Sequence, residues 1–547
     1  MIAPSPAELL LRAGSIETFD DDLGPMTSLA VRNGRVLALG RERAELDELR
    51  GPRTTVIDDP GLHVIPAFND THVHQYEGGL NLLTVQLDGV GSIGDIVEKM
   101  RAAAAERPRG TWVVSAKNWH ESSLREGRLP TADELDRAGT DHPLCVRKGS
   151  HAVVVNRPAL TLASIRRDMT DPPGGTIVRD DHGEPNGQLL GDPAVELVTR
   201  LLPSPSLAER MEGLHRCGHL YNARGLAAVR DPGIATADFA VYQRLWEAGR
   251  LTVRSEVMLR LDEGWPSPRM HDELKRWGLR TGFGDDLLRV GGVKLFVDGR
   301  IEDAALQDPY ANDPGWRGTL HLDRSTLTEV ASDAVDRGWD VGCHAVGDAA
   351  IEEVLDAYAA LLQARPDLEP RRLVIEHALL ATADQRRRAA SLGVGVSLHP
   401  PLLYAFASDI RRCWGDPRAN AALAVSDWIA SGALVAAGSD GNVPPFDPLL
   451  AIWTMITRQT ASAGKLGVDQ AIDRRTAFRL YTVAGARLLR RGDQRGTLAP
   501  GQFADLTAFT EDPMTCPVER LPALDPVLTV VGGRPVFDPE SRAGDQP

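Results

Sequence analysis

Between residues about 65 and 490 the chain repeats one pattern. A short apolar run ends in Gly, Asp, Ser or His, and an Ala/Leu/Arg/Glu-rich stretch follows. Leu373-Val374-Ile375 precedes a polar helical stretch near Asp384, and Ala433-Leu434-Val435-Ala436-Ala437 precedes Gly438-Ser439-Asp440. Strand and helix in strict alternation build parallel βαβ units, because a parallel partner is reached only through a crossover. Over this length the expected fold is α/β, a (β/α)8 TIM-type barrel, with a doubly wound open sheet as the alternative.

The two ends read differently. Ser28-Leu29-Ala30-Val31 and Val36-Leu37-Ala38-Leu39 flank Asn33-Gly34, a hairpin signal. Near the other end, Ala504–Phe509 and Val527–Val531 are strand-like, and Gly532-Gly533 makes a turn. Residues 1–64 and 491–547 are therefore expected to form one small β-sandwich around the barrel of 65–490. Residues 76–210 fit the alternation poorly. They carry Asp171-Pro172-Pro173-Gly174-Gly175 and Gly183-Glu184-Pro185-Asn186-Gly187, and read as an insertion after the first barrel strand.

Composition narrows the function. The 547 residues carry a net charge of −15, which argues against nucleic acid or an anionic membrane as partner. No apolar run is long enough to span a bilayer. The start, MIAPSPAELLLRAG, has neither the basic nor the long apolar segment of a secretory signal. Five widely spaced cysteines without a CxxC read as reduced thiols, so a cytoplasmic location is expected. Any metal must then be held by histidine and carboxylate.

The sharpest motif is Pro66-Ala67-Phe68-Asn69-Asp70-Thr71-His72-Val73-His74. On a strand, positions i and i+2 share a face, so His72 and His74 can reach one point. His344, His377 and Asp440 each close a later apolar run. Singly, such a His is more often a core or rim residue, and such an Asp more often a helix N-cap. Together they sit where a parallel barrel gathers its catalytic groups, at the C-terminal strand ends. Lys294 lies inside Gly292-Val293-Lys294-Leu295-Phe296-Val297-Asp298, sharing a face with Phe296 and Asp298. A charged, unpaired lysine there would be costly. It is either in a salt bridge at the rim, with Asp298 for example, or a neutral amine able to take up carbon dioxide as a metal-bridging carbamate.

The order HxH, Lys, His, His, Asp resembles the amidohydrolase superfamily, specifically its YtcJ-like branch, which includes N-substituted formamide deformylase. The likeness also runs through Ser150–Asn156, Asp171–Gly175, His344-Ala345-Val346-Gly347-Asp348 and Gly496–Leu506. It departs at Ser150, where an acidic residue or Gly is expected, and at Arg157-Pro158. The resemblance implies a binuclear site. His72, His74 and Asp440 would hold one divalent metal, His344 and His377 the other, and carboxylated Lys294 would bridge them. A metal-activated hydroxide would be the nucleophile and Asp440 the general base, then acid. Zinc suits these ligands best, although a one-metal site with unmodified Lys294 is the alternative.

The substrate expected is a small molecule with a non-peptide C–N bond, an amide and possibly an N-substituted formamide. His151, in the insertion, is the candidate hydrogen-bond donor to it. Trp119, Tyr404, Phe406 and Trp414 are placed in loops that could border the mouth, while His120 and His399 are read as structural. The same scaffold could instead serve a deaminase, a carbamate or ester hydrolase, a decarboxylase, or a regulatory protein that binds metal without turnover. A homodimer is a possible assembly.

Overall fold

The computed structural model describes residues 6–149, 152–262, 267–441 and 445–542. The chain divides into two compact units. One joins Met1–His74 to Gly218–Pro547, and the other is Gln75–Cys217.

The larger unit is built on eight parallel strands: β1 (Phe68–Asp70), β2 (Leu226–Ile234), β3 (Arg254–Arg260), β4 (Leu288–Phe296), β5 (Val341–Ala345), β6 (Leu373–His377), β7 (Gly395–Leu398) and β8 (Leu434–Ala437). Each pairs with the next in chain order, from β1 through to β8. An open doubly wound sheet would leave two free edges. Here the segments that follow β1 and β8 pair instead. Thr71 N donates to the Ala437 carbonyl at 3.3 Å, and Val73 forms a parallel bridge with Gly441. The first and last strands thus meet at their C-terminal ends, and the barrel is nearly closed.

Burial explains the unbroken apolar runs. Every residue of β6 and β7 is buried, as expected when helices cover the outside and side chains fill the inside. The intervening helices start on local signals. Asp323 accepts from Thr326 N ahead of the helix Arg324–Asp336. Thr382 and Gln385 form a capping box at the start of Ala383–Leu392, which stops at Gly393 in the left-handed conformation.

Strands from both ends of the chain share a second sheet of eight strands. Leu506–Phe509 runs antiparallel to His63–Pro66, which in turn pairs parallel to Leu9–Ile16. The two ends, expected to form a sandwich, share one continuous hydrogen-bonded sheet. Leu11, Leu29, Ile57, Leu506 and Val530 lie in its apolar core. The Asn33-Gly34 turn has φ of 52° and 71°, the pair of positive values that a two-residue hairpin needs.

The smaller unit holds a five-stranded sheet. Its order is Thr176–Arg179, Pro185–Leu190, Ala152–Val155, Leu144–Lys148, Val113–Val114. Alternate residues of these strands feed two apolar clusters: Val146 and Val154 in one, Cys145, Val153 and Val155 in the other.

Candidate metal centre

The site grows from the seam between β1 and β8. Asp70 is fully buried, and its Oδ1 accepts from the amides of His72 and Ser439, each at 3.0 Å. Asp440 N donates to the His72 carbonyl at 2.7 Å. These bonds fix the backbones of both strand ends, and so the origin of the side chains they carry. Asp440 Oδ1 then stands 3.4 Å from His72 Nε2 and accepts a hydrogen bond from His74 Nε2 at 3.0 Å. Asp440 itself has φ of 56°, a left-handed conformation that costs a non-glycine residue energy and that clusters at functional sites.

The ends of β5, β6 and β7 add three more rings. His377, with φ of 75°, places its ring 4.9 Å from that of His72 and 4.2 Å from that of His344. His399 follows β7. Its ring is 4.3 Å from that of His72, and its Nδ1 shares a proton with His377 Nδ1 at 2.7 Å. Two sets of donor atoms lie within 4.8 Å of one another: His72, His74 and Asp440, and His72, His377 and His399. His344 is beside the second set, and its Nε2 donates to the Gly299 carbonyl at 2.9 Å.

Lys294, on β4, is 1% exposed. Its Nζ lies 5.4 Å from the centre of the Phe296 ring, and it makes no hydrogen bond or ion pair among the described residues. The rim salt bridge with Asp298 is therefore not formed. Asp298 instead accepts from the amides of Ala305, Val346 and Gly347 and lies 3.5 Å from His344 Nε2.

The protein-family comparison matches residues 55–537 to the amidohydrolase family. The chain belongs to the amidohydrolase family. It is 26% identical to the putative amidohydrolase YtcJ of Bacillus subtilis over 536 residues, 96% of this chain and 98% of the relative. It is 28% identical to the N-substituted formamide deformylase of Arthrobacter pascens over 546 residues, 96% of this chain and 97% of that enzyme. Among solved structures, an uncharacterized metal-dependent hydrolase from Pyrococcus horikoshii superposes with a TM-score of 0.75 at 25% identity, covering 94% of this chain and 99% of the other.

The donor chemistry of this amidohydrolase fits a divalent cation. Burial and the neighbouring Lys294 amine hold the His72 imidazole well below its ordinary pKa, and burial with His344 does the same to His377. Burial takes His399 down to about 3. All three rings are thus neutral near pH 7; His72 offers its Nε2 lone pair, and of the paired His377 and His399 the ring that donates at Nδ1 offers its own Nε2. Burial pushes Asp440 up, but the His74 hydrogen bond and the surrounding positive charge outweigh it, so its carboxyl lies below the usual value and is ionised. Neutral imidazoles with a carboxylate suit zinc, iron or manganese-class ions.

Three residues beyond the sequence reading's candidates lie at this cluster. His399, expected to be structural, follows the run Gly395–Leu398 and falls within the donor set of His72 and His377. Glu376 is fully buried. Its Oε2 accepts from His72 Nδ1 at 2.8 Å and its Oε1 from Arg230 Nη2 at 2.6 Å. A carboxylate on the distal nitrogen fixes the tautomer and turns Nε2 toward the ligand position. Arg230, on β2, also donates to the Thr71 carbonyl at 2.8 Å. A charge in the middle of an apolar strand is the signal that finds both, since each requires a buried partner.

The aromatic assignment needs correction. Tyr404 and Trp414 lie in the helical segment Pro400–Ala421, because Pro400-Pro401 supply a helix start that the loop reading overlooked, while Phe406 sits at a kink within it with non-helical φ of −113° and ψ of 18°. Trp414 is buried, and its Nε1 donates to the Ile301 carbonyl at 2.9 Å. Trp119 is likewise buried, donating to the Arg147 carbonyl at 2.7 Å. His151 lies outside the described residues. All five cysteines are buried, and none belongs to the histidine cluster's donor sets among the described residues. No helix among the described residues is long and apolar enough to cross a membrane.

Proposed function

We propose that this amidohydrolase hydrolyses a non-peptide C–N bond of a small molecule, an amide and specifically an N-substituted formamide. The observation that carries the reading is the convergence of His72, His74, His377, His399 and Asp440 at the C-terminal strand ends, with neutral imidazoles at His72, His377 and His399 and an ionised carboxylate. Similarity to a formamide deformylase across nearly the whole chain supports the substrate class.

His72, His74 and Asp440 would hold one metal. His377 and His344 would hold a second, with His399 as an additional donor. Zinc fits this set best. A bound divalent cation would supply Lewis acidity toward the scissile carbonyl and would acidify a water molecule.

The chain's own groups do the rest. Glu376 holds His72 in one tautomer. Asp440, ionised and hydrogen-bonded to His74, takes the proton of the attacking water at its carboxylate and returns it to the departing amine nitrogen. Lys294 is a buried amine whose pKa burial lowers to about 8, so a substantial fraction is neutral near that pH. Only the neutral amine adds to carbon dioxide, giving a carbamate anion and releasing one proton. That supports carboxylated Lys294 as the bridge between two metals.

The test is a panel of N-formyl and N-acyl amines presented to zinc-loaded protein, with amine release as readout. The reading expects amine plus formate from at least one N-substituted formamide, and loss of turnover on chelation. Release of ammonia alone would move the protein to deamination. Turnover on no amide or ester would return it to a metal-binding protein without catalysis.

A further inference from the structure

The opposite end of the barrel carries a second constellation that, Arg230 aside, the hydrolytic site does not use. A cavity of about 230 Å³ opens among the N-terminal ends of β3 to β6 and the residues following the helix Val483–Leu488. Six arginines line it: Arg230, Arg289, Arg371, Arg372, Arg490 and Arg491. The carboxylates in its wall are Glu256 and Asp340 alone. In a chain of net charge −15 this is a local reversal of sign.

A purely structural staple would pair each guanidinium with a carboxylate, and four are so paired. Arg230 is committed to Glu376, and Arg372 and Arg490 share Asp340 at 2.7 and 2.9 Å. Arg371 lies 2.5 Å from Glu369. Arg289 and Arg491 differ. Their nearest carboxylates, Asp286 and Glu256, stand 3.7 and 3.9 Å away. Glu256 is already engaged by Arg495 at 2.7 Å. Arg289 Nε and Nη1 donate to the Asp285 and Gly282 carbonyls at 3.3 and 3.2 Å, and Arg491 Nη1 to Gln494 Oε1 at 3.4 Å, so the nearer partners of these two guanidiniums are neutral oxygens, and the side chains are 20% and 14% exposed.

We propose that this cavity is a binding site for a phosphoryl dianion, held between the guanidinium groups of Arg289 and Arg491. Planar guanidinium forks match the oxygens of phosphate in geometry and charge, which an ammonium does not. The volume falls below the 300–1,000 Å³ of typical ligand sites, so it admits phosphate or a short phosphomonoester and excludes a nucleotide.

Calorimetric titration of full-length, metal-loaded protein tests this, with inorganic phosphate, glycerol 3-phosphate and, at matched ionic strength, chloride. The proposal expects saturable binding of at least one phosphoryl compound near one per chain, and none of chloride. Phosphate binding assigns the free ion as a ligand, whereas binding of glycerol 3-phosphate alone assigns a phosphomonoester. Arg289→Gln with Arg491→Gln should weaken binding at least tenfold while the far-ultraviolet circular dichroism is unchanged. Should that variant not fold, diffraction from wild-type crystals soaked in the bound compound decides, with density expected between the two arginines. Absence of saturable binding overturns the proposal. So does wild-type affinity in the folded double variant, or density confined to the histidine cluster, either of which would put the anion on the metal.

Discussion

At the scale of single residues, the site rests on which groups are charged. Asp440 is ionised in spite of burial because His74 donates to it. Asp440→Asn keeps the size and loses the basic oxygen. The expected result is a fall in kcat of about 10²–10⁴ with metal still bound, the range general acid–base catalysis commands. Near-wild-type kcat in the metal-loaded variant would remove Asp440 from proton transfer.

His399 gives a pH prediction. Its folded pKa, about 3, lies below the ordinary value of 6.5 because it is buried. The unfolded chain therefore takes up the proton first. The stability this ring contributes is complete above about pH 6.5 and is lost as pH falls toward 3, at about 1.4 kcal/mol per pH unit. The thermal midpoint of metal-free protein should fall between pH 6.5 and 4.5, and His399→Gln should flatten that fall. Superimposable pH profiles would show that the ring is not held neutral.

His72 and His74 were legible in the sequence because residues two apart in extended chain can reach one point; the structure places them just past β1, on either side of Val73, which bridges Gly441. Glu376 and Arg230 were hidden for a different reason. They serve each other across the barrel, 146 positions apart, and a partner at that separation leaves no local pattern.

At the scale of elements, strand and helix alternation foretold the barrel, but closure depended on contacts no alternation encodes. The link between β5 and the helix Asp348–Ala364 illustrates this. A Cβ on Gly347 would lie 2.0 Å from the Ala305 carbonyl oxygen, while Gly347 N donates to Asp298 at 2.8 Å. The segment around Ala305 is thus packed directly on this turn, and both converge on the carboxylate beside His344. Gly347→Ala must displace that backbone. It is expected to destabilise by about 1–3 kcal/mol, as overpacking does, and to lower metal affinity through His344. Urea unfolding and metal titration check the two effects. An unaltered midpoint would mean the loop yields freely. Trp414 failed as a loop candidate on the same ground, because apolar burial inside a helix and exposure at a mouth look alike until tertiary packing separates them.

At the scale of the larger unit, the terminal sheet is fastened to the barrel by a buried ion pair. Arg254, at the start of β3, donates to both oxygens of Asp505 at 2.7 and 2.9 Å, and each side chain is 6% exposed. Asp505 also accepts from Gly532 N, at the turn before the last strand. Removing one partner of a buried pair strands the other charge. Asp505→Asn is expected to cost about 3–5 kcal/mol, read as a lower midpoint in denaturant. A change under 1 kcal/mol would show that the sheet is held by its apolar core alone. Nothing local foretells this pairing, since 251 positions separate the two residues.

The account as a whole stands on cations gathered where the strands end. Anomalous X-ray scattering at the zinc edge, from crystals of protein with demonstrated turnover, addresses this directly. The expected map has a strong peak among His72, His74 and Asp440, and a second beside His377 if Lys294 is carboxylated. Turnover in crystals whose anomalous map is empty at those residues would contradict the account.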